Sequence, residues 1–161
     1  MYDYVTKELT ALVSEHFGVT KLSILGHSMG GHGALVMGLR EADIFKSVSA
    51  FSPIVNPMQV PWGQKAFAGY LGDDKKAWAS YDTCELIRAG YHHAHPLLID
   101  QGTSDSFLEV QLKTENLVKA AEGTNQKLQL RYRTGYDHGY YFIATFVHEH
   151  IEFHARYLSS H

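Results

Sequence analysis

Disulfide chemistry is closed to this chain from within, because Cys84 is its single cysteine and has no intrachain partner. That scarcity is compatible with a reducing compartment, and the cytoplasm is the expected location. Long apolar runs are missing too. No stretch of eighteen apolar residues occurs, so no membrane span is expected, and Met1-Tyr2-Asp3-Tyr4-Val5 lacks the basic start and apolar core of a signal peptide. The chain also lacks a block of charge of one sign. Fourteen basic and seventeen acidic residues are interspersed, leaving a formal charge of −3, which makes nucleic acid and anionic membrane poor candidate partners. There is no internal repeat and no low-complexity linker, and the length suits one domain over residues 1–161.

Histidine, by contrast, is abundant. Eleven are present, densest at His92-His93-x-His95 between Gly90 and Pro96. No acidic or cysteine ligand is spaced to complete a metal site, so this reads as a solvated loop, and no metal or cofactor is expected. His148, His150 and His154 fall on a C-terminal helix, as surface or half-buried residues.

The centre of the sequence is Lys21 to Leu39. A short apolar run, Leu22-Ser23-Ile24-Leu25, leads into Gly26-His27-Ser28-Met29-Gly30-Gly31 and then Ala34-Leu35-Val36-Met37. The pattern is strand, tight turn, helix. Gly26-x-Ser28-x-Gly30 fits a nucleophile elbow, in which a sharp turn pushes the serine hydroxyl clear of the sheet. Ser28 and the Met29 N–H then lie at a helix N-terminus, where unpaired donors and the helix dipole favour a developing oxyanion.

Around this unit the chain reads as alternating strands and helices. Apolar residues at Val5, Leu9, Leu12, Val13 and Phe17 predict an amphipathic helix ending at Gly18, lying on one face of a sheet. Ser47 to Phe51 is a second strand. Residues 53–72, with Pro53, Pro57, Pro61, Trp62, Phe67 and Tyr70, show no clear period and read as a long irregular substrate-side loop. One or two short helices come next, over Lys75–Arg88. Leu97 to Asp100 is a third strand, Phe107 to Ala121 a helix, Lys127 to Arg133 a half-buried edge strand, and a last helix reaches Leu158 with Ile143, Val147, Ile151, His154 and Leu158 on one face. Strand–helix–strand repetition of this kind predicts an α/β fold with a mostly parallel sheet, here the elbow strand and three strands after it.

A serine nucleophile on an elbow needs a histidine base and a carboxylate to orient it, in the order Ser, Asp or Glu, His. Asp105 and His138 each lie in a loop just past a strand, so a parallel sheet carries both to the edge where Ser28 stands. Asp100 competes with Asp105 but is still inside its strand, where backbone amides would fix it. Asp137 adjoins His138, and neighbouring residues rarely align carboxylate with ring nitrogen.

Long motifs extend beyond the elbow: Gly26-His27-Ser28-Met29-Gly30-Gly31-His32-Gly33-Ala34-Leu35, Ser49 to Ile54, Pro61 to Phe67, Gly69-Tyr70-Leu71-Gly72, Ile99-Asp100-Gln101-Gly102 with Asp105 and Phe107-Leu108, and Gly135 to Phe146. Together they closely resemble the S-formylglutathione hydrolase (esterase D) family, whose members have the α/β-hydrolase fold. The resemblance implies a Ser28, Asp105, His138 triad, a Met29 N–H in the oxyanion hole, and hydrolysis of the small thioester S-formylglutathione to glutathione and formate in formaldehyde detoxification, with side activity on short acyl esters. It also implies that Trp62, with Lys65 and Phe67 on the same segment, lines the substrate entrance. It covers only the C-terminal part of the family's length, somewhat more than half. The family's first strands, the loop with the second oxyanion amide and a cysteine near the site lie outside it. The elbow strand is therefore expected to have a bare edge, through which the chain would self-associate. The alternative to a working hydrolase is a truncated, weakly active or non-catalytic chain held together by that edge.

Overall fold

The computed structural model describes residues 1–159. Four parallel strands, β1 (Leu22–His27), β2 (Phe45–Phe51), β3 (Leu97–Gly102) and β4 (Leu128–Arg133), form a sheet in the order β1-β2-β3-β4. The register aligns Gly26 with Ala50, Ala50 with Ile99, and Ile99 with Leu130. All four strands thus end on one edge. Among the described residues β1 pairs only with β2, which makes it an edge strand, and Leu25 is exposed.

The helices are α1 (Thr10–Phe17), α2 (Met29–Arg40), α3 (Pro61–Leu71), α4 (Lys75–Ala79), α5 (Thr83–Arg88), α6 (Thr114–Ala121) and α7 (Tyr140–Ser159), with α2, α5 and α6 on one face of the sheet and α7 on the other. The alternation of β2 divides the work, since successive side chains point to opposite faces. Val48 and Ala50, with Leu97 and Ile99 of β3, meet Leu35, Val36 and Leu39 of α2, Leu86 and Ile87 of α5, and Leu117 and Ala120 of α6 in an apolar core. Each fully buried aliphatic side chain there contributes about 1.5 to 3 kcal/mol.

The opposite face, under α7, is polar. Ser23 Oγ lies 2.8 Å from Ser47 Oγ, and Ser47 and Ser49 hold the two ring nitrogens of His154 at 2.7 Å each. Ser49 also lies 2.9 Å from His150 Nδ1, and the His150 ring stacks on Phe51 at 3.8 Å. Here the sequence reading needs correction. His150 and His154 are buried, whereas Ile151 is 55% exposed. The inward face of α7 is Phe142, His150, Phe153 and His154, because the sheet beneath offers serine hydroxyls to the two histidines and the Phe51 ring to Phe142 and His150.

Three other elements differ from expectation. Residues 53–72 are largely helical: a short 3-10 turn at Pro57–Gln59 precedes α3, with Pro61 at its first position and Val60 extended before it. A proline needs no N–H there and presets its φ, so it starts the helix. The predicted helix over Phe107–Ala121 breaks at Lys113 (φ 53°) between a π-helical turn, Leu108–Leu112, and α6. At the N-terminus, π-helical winding over Tyr4–Leu9 changes the angular phase of α1, leaving Leu12 and Phe17 60% and 69% exposed instead of laid on the sheet. Among the described residues no helix is long and apolar enough to cross a membrane.

The loop 91–96 is not simply solvated. His93 is buried, its Nε2 2.7 Å from the Phe45 carbonyl and its N–H donating to Gln126 Oε1, and His95 stacks on Tyr157. Among the described residues no group of three or more His, Cys, Asp or Glu could hold a metal ion.

The buried histidines fix a pH dependence. Burial lowers His32 and His154 to about 4, and lowers His150. An unfolded chain protonates these rings near 6.5, whereas the folded one keeps them neutral, so stability is full above 6.5 and lost as pH falls towards 4. Denaturant unfolding is expected to show a loss on the order of 3 kcal/mol for His154 alone across that window, and His154→Gln should flatten the slope.

Candidate active site

Ser28 sits between β1 and α2 at φ 56°, ψ −115°, outside the regions a non-glycine residue ordinarily occupies. The turn is possible because position 26 is glycine: a Cβ there would run into the Gly30 carbonyl. Ser28 N–H donates to Phe51 O (2.9 Å), tying the elbow to β2, while its own carbonyl accepts from His32 N–H (2.9 Å) as the helix begins. Met29 opens α2, so its N–H has no acceptor within the helix and remains available beside the hydroxyl.

The loops after β3 and β4 are pressed together. Ser104 N–H donates to Tyr136 O at 2.9 Å, and a Cβ on Gly102 would overlap that same carbonyl. Asp105 and His138 are thereby brought face to face. His138 Nδ1 donates to Asp105 Oδ2 at 2.6 Å, which leaves Nε2 to accept the Ser28 hydroxyl at 2.9 Å. Burial by itself would raise the Asp105 carboxyl. The hydrogen bonds from His138 and from Phe107 N–H (2.9 Å, to Oδ1) outweigh it and hold Asp105 below the usual carboxylate range, so it stays ionised.

The two competing carboxylates are used elsewhere. Asp137 Oδ1 accepts Gly139 N–H in a local turn at 2.8 Å. Asp100 is fully buried, and its partners are side chains rather than the backbone amides expected of a strand residue. Arg131 Nε donates to one oxygen and Arg133 Nε to the other (2.8 Å), and both guanidinium groups continue to Glu149 on α7. Burial raises the Asp100 carboxyl, but His150 and the two arginines bring it below its ordinary value.

Of the substrate-side residues, Trp62 is 44% exposed and its ring lies 4.8 Å from Phe107, which in turn meets His138 edge-on at 5.0 Å. Lys65 is exposed on α3. Phe67 is buried, packed 6.1 Å from His32 and 5.8 Å from Trp78. Sequence reasoning missed Gln101 and Thr114. Gln101 Nε2 donates to Asp105 Oδ2 (3.3 Å) and its Oε1 accepts from Thr114 Oγ1 (2.9 Å), both residues being fully buried. The signal was a second polar residue, directly after Asp100, in a strand that opens with Leu97-Leu98-Ile99.

A parallel sheet with helices on both faces, and a strained serine between strand and helix hydrogen-bonded to a histidine, defines the α/β-hydrolase class. The model of the family described as "Putative esterase" matches residues 1–153, and the chain belongs to this esterase family. Among solved structures, an S-formylglutathione hydrolase from Agrobacterium tumefaciens is 47% identical, over 99% of this chain and 58% of its own, with a TM-score of 0.95. An S-formylglutathione hydrolase from Staphylococcus aureus (23% identity, 94% of this chain, 62% of that one, TM-score 0.73) shares the fold. So does the fluorophosphonate-binding serine hydrolase FphF of the same organism (21%, 94%, 62%, TM-score 0.74). The chain thus spans about three-fifths of the length of these proteins.

Asp100→Asn strands two arginines against a neutral amide in a buried setting. It should destabilise the fold by about 3 kcal/mol, read as a drop in unfolding midpoint.

Proposed function

We propose that these residues carry the catalytic apparatus of a cytoplasmic serine thioesterase that hydrolyses S-formylglutathione to glutathione and formate, in the detoxification of formaldehyde, without a cofactor. The observation that carries this reading is the unbroken hydrogen-bonded run Asp105–His138–Ser28 at the carboxyl edge of the sheet. The 47% identity to the Agrobacterium enzyme supports the choice of thioester.

In this mechanism His138 Nε2 takes the Ser28 proton as Oγ attacks the formyl carbonyl carbon. The charge on the carbonyl oxygen meets the Met29 N–H and the N-terminus of α2. As the C–S bond breaks, His138 returns that proton to the glutathione sulfur, leaving Ser28 formylated. A water then gives a proton to His138 and attacks the formyl carbon. Collapse of that second intermediate frees formate and restores the Ser28 hydroxyl. Asp105 holds the imidazole in the required tautomer throughout. Trp62, Lys65 and Phe67 form and back the entrance, with the exposed Lys65 ammonium suited to a glutathione carboxylate.

Ser28→Ala should abolish turnover of S-formylglutathione, and Asp105→Asn should lower kcat by roughly 10⁴-fold, with Asp137→Asn far milder. Asp137→Asn as the more damaging of the two would overturn the choice of orienting carboxylate. Because the hydrogen bonds from His138 and Phe107 hold Asp105 below the usual carboxylate range, activity followed against pH should show no step in that range. A loss of turnover at the ordinary carboxylate value would count against Asp105 as the orienting group.

The exposed edge of β1 favours self-association of these 161 residues through Leu22–Leu25. With Met29 as the identified oxyanion donor, their turnover by themselves should be lower than that of a site with two donors by about a hundred- to a thousandfold. Size-exclusion chromatography beside a formylglutathione assay tests both. A monomer with full turnover would show that one amide suffices and that the β1 edge is inert, and an assembled chain with no turnover would favour a non-catalytic role.

A further inference from the structure

His138 has more around it than its two hydrogen-bond partners. The His27 ring lies 4.6 Å from the His138 ring, centroid to centroid, at an interplanar angle of 42°. Phe107 also packs on it, edge to face at 5.0 Å and 79°. The position of His27 is set by the sheet, since it is the last residue of β1, in register with Phe51, one residue before the nucleophile. Tyr140 stands 6.2 Å behind it. Phe107 is equally fixed, because its N–H is one of the donors to Asp105.

We propose that His27 is a positioning residue for the serine–histidine proton transfer: with Phe107 it clamps the His138 ring, and its own ring stabilises the imidazolium that forms when Ser28 gives up its proton. Hydrogen bonds at the two nitrogens still let the imidazole plane tilt, and the one to Ser28 changes as the proton moves. Contacts from two neighbouring rings reduce that freedom, and a displacement on the order of 1 Å at a catalytic group can lower a rate about a hundredfold. A neutral ring against a cation is also attractive, whereas two imidazolium rings would repel. His27 is suited to the neutral role, because burial, with the His138 charge adding to it, lowers its tendency to protonate, and its Nε2 is buried without a hydrogen-bond partner.

The inference rests on Ser28 and His138 acting as nucleophile and base, but not on the identity of the thioester. The test therefore uses a fluorophosphonate, which reports the same proton transfer for any serine hydrolase: Ser28 Oγ bonds to phosphorus, fluoride leaves, and His138 accepts the proton. Three variants are compared with the parent chain, His27→Leu (bulk without a ring), His27→Phe (ring without nitrogen) and His27→Gln (polar, without a ring), together with kcat and KM for S-formylglutathione and a circular-dichroism melt of each.

His27→Leu and His27→Gln are expected to slow phosphonylation and kcat by about ten- to a hundredfold with KM nearly unchanged. His27→Phe is expected to recover most of that loss. A folded His27→Leu or His27→Gln at the parent rate, or a His27→Phe as slow as they are, would overturn the clamp. Should His27→Leu lose its fold, the comparison of His27→Gln with His27→Phe decides. A parent chain that phosphonylates Ser28 but leaves S-formylglutathione intact would refute the proposed substrate alone, with the variant ratios still deciding the clamp. A parent inert to the fluorophosphonate would remove both.

Discussion

The carboxylate of Asp100 is buried at the end of β3 between two arginines of β4, and those arginines reach on to Glu149 of α7. A charge removed from water so completely is tolerable only when it is fully paired. The pairing therefore fixes three elements at once: the register of β3 against β4, the height of α7 over the sheet, and the stacking of His150 on Phe51. The site depends on that frame. Asp105 lies three residues beyond the end of β3, and His138 lies in the turn between β4 and α7, so an error in either junction would separate the base from its carboxylate.

The two faces of the sheet are built on different physics. Under α2, α5 and α6 the contact is aliphatic and non-directional, with Val48, Ala50, Leu97 and Ile99 filling space. Under α7 it is directional, a chain of serine hydroxyls and histidine rings in which each bonded nitrogen needs its oxygen. An apolar face tolerates sliding better than a hydrogen-bonded one. It is consistent with that difference that the helix leading out of the base loop is the one held by polar contacts, while the nucleophile helix α2 is placed by its elbow and the apolar core.

Around the reacting groups, the structure spends buried polar and aromatic side chains on orientation. Gln101, itself held by Thr114, donates to Asp105, Phe107 contributes an amide to the same carboxylate and a ring to the imidazole, and the His27 ring packs on that imidazole. Trp62 touches Phe107, so Trp62 and His138 share a neighbour. Preorganisation of this kind lets a proton move without the surroundings having to rearrange.

By itself the sequence determined the strand–turn–helix of the elbow, the parallel α/β alternation and the shared edge of Ser28, Asp105 and His138, because glycine spacing, apolar periodicity and strand ends are local signals. It also named the motifs that the esterase family carries. Tertiary structure decided the rest. Whether Pro61 interrupts or initiates a helix depends on what precedes it. Which face of α7 turns inward depends on serines about a hundred residues away, so His150 and His154 read as surface or half-buried residues until the sheet supplied their partners. The duty of Asp100 was set by arginines on the neighbouring strand, and the roles of Gln101, Phe107 and His27 arise only where loops from different strands meet. Contacts of that range leave no period in the chain, which is why they became legible only in three dimensions.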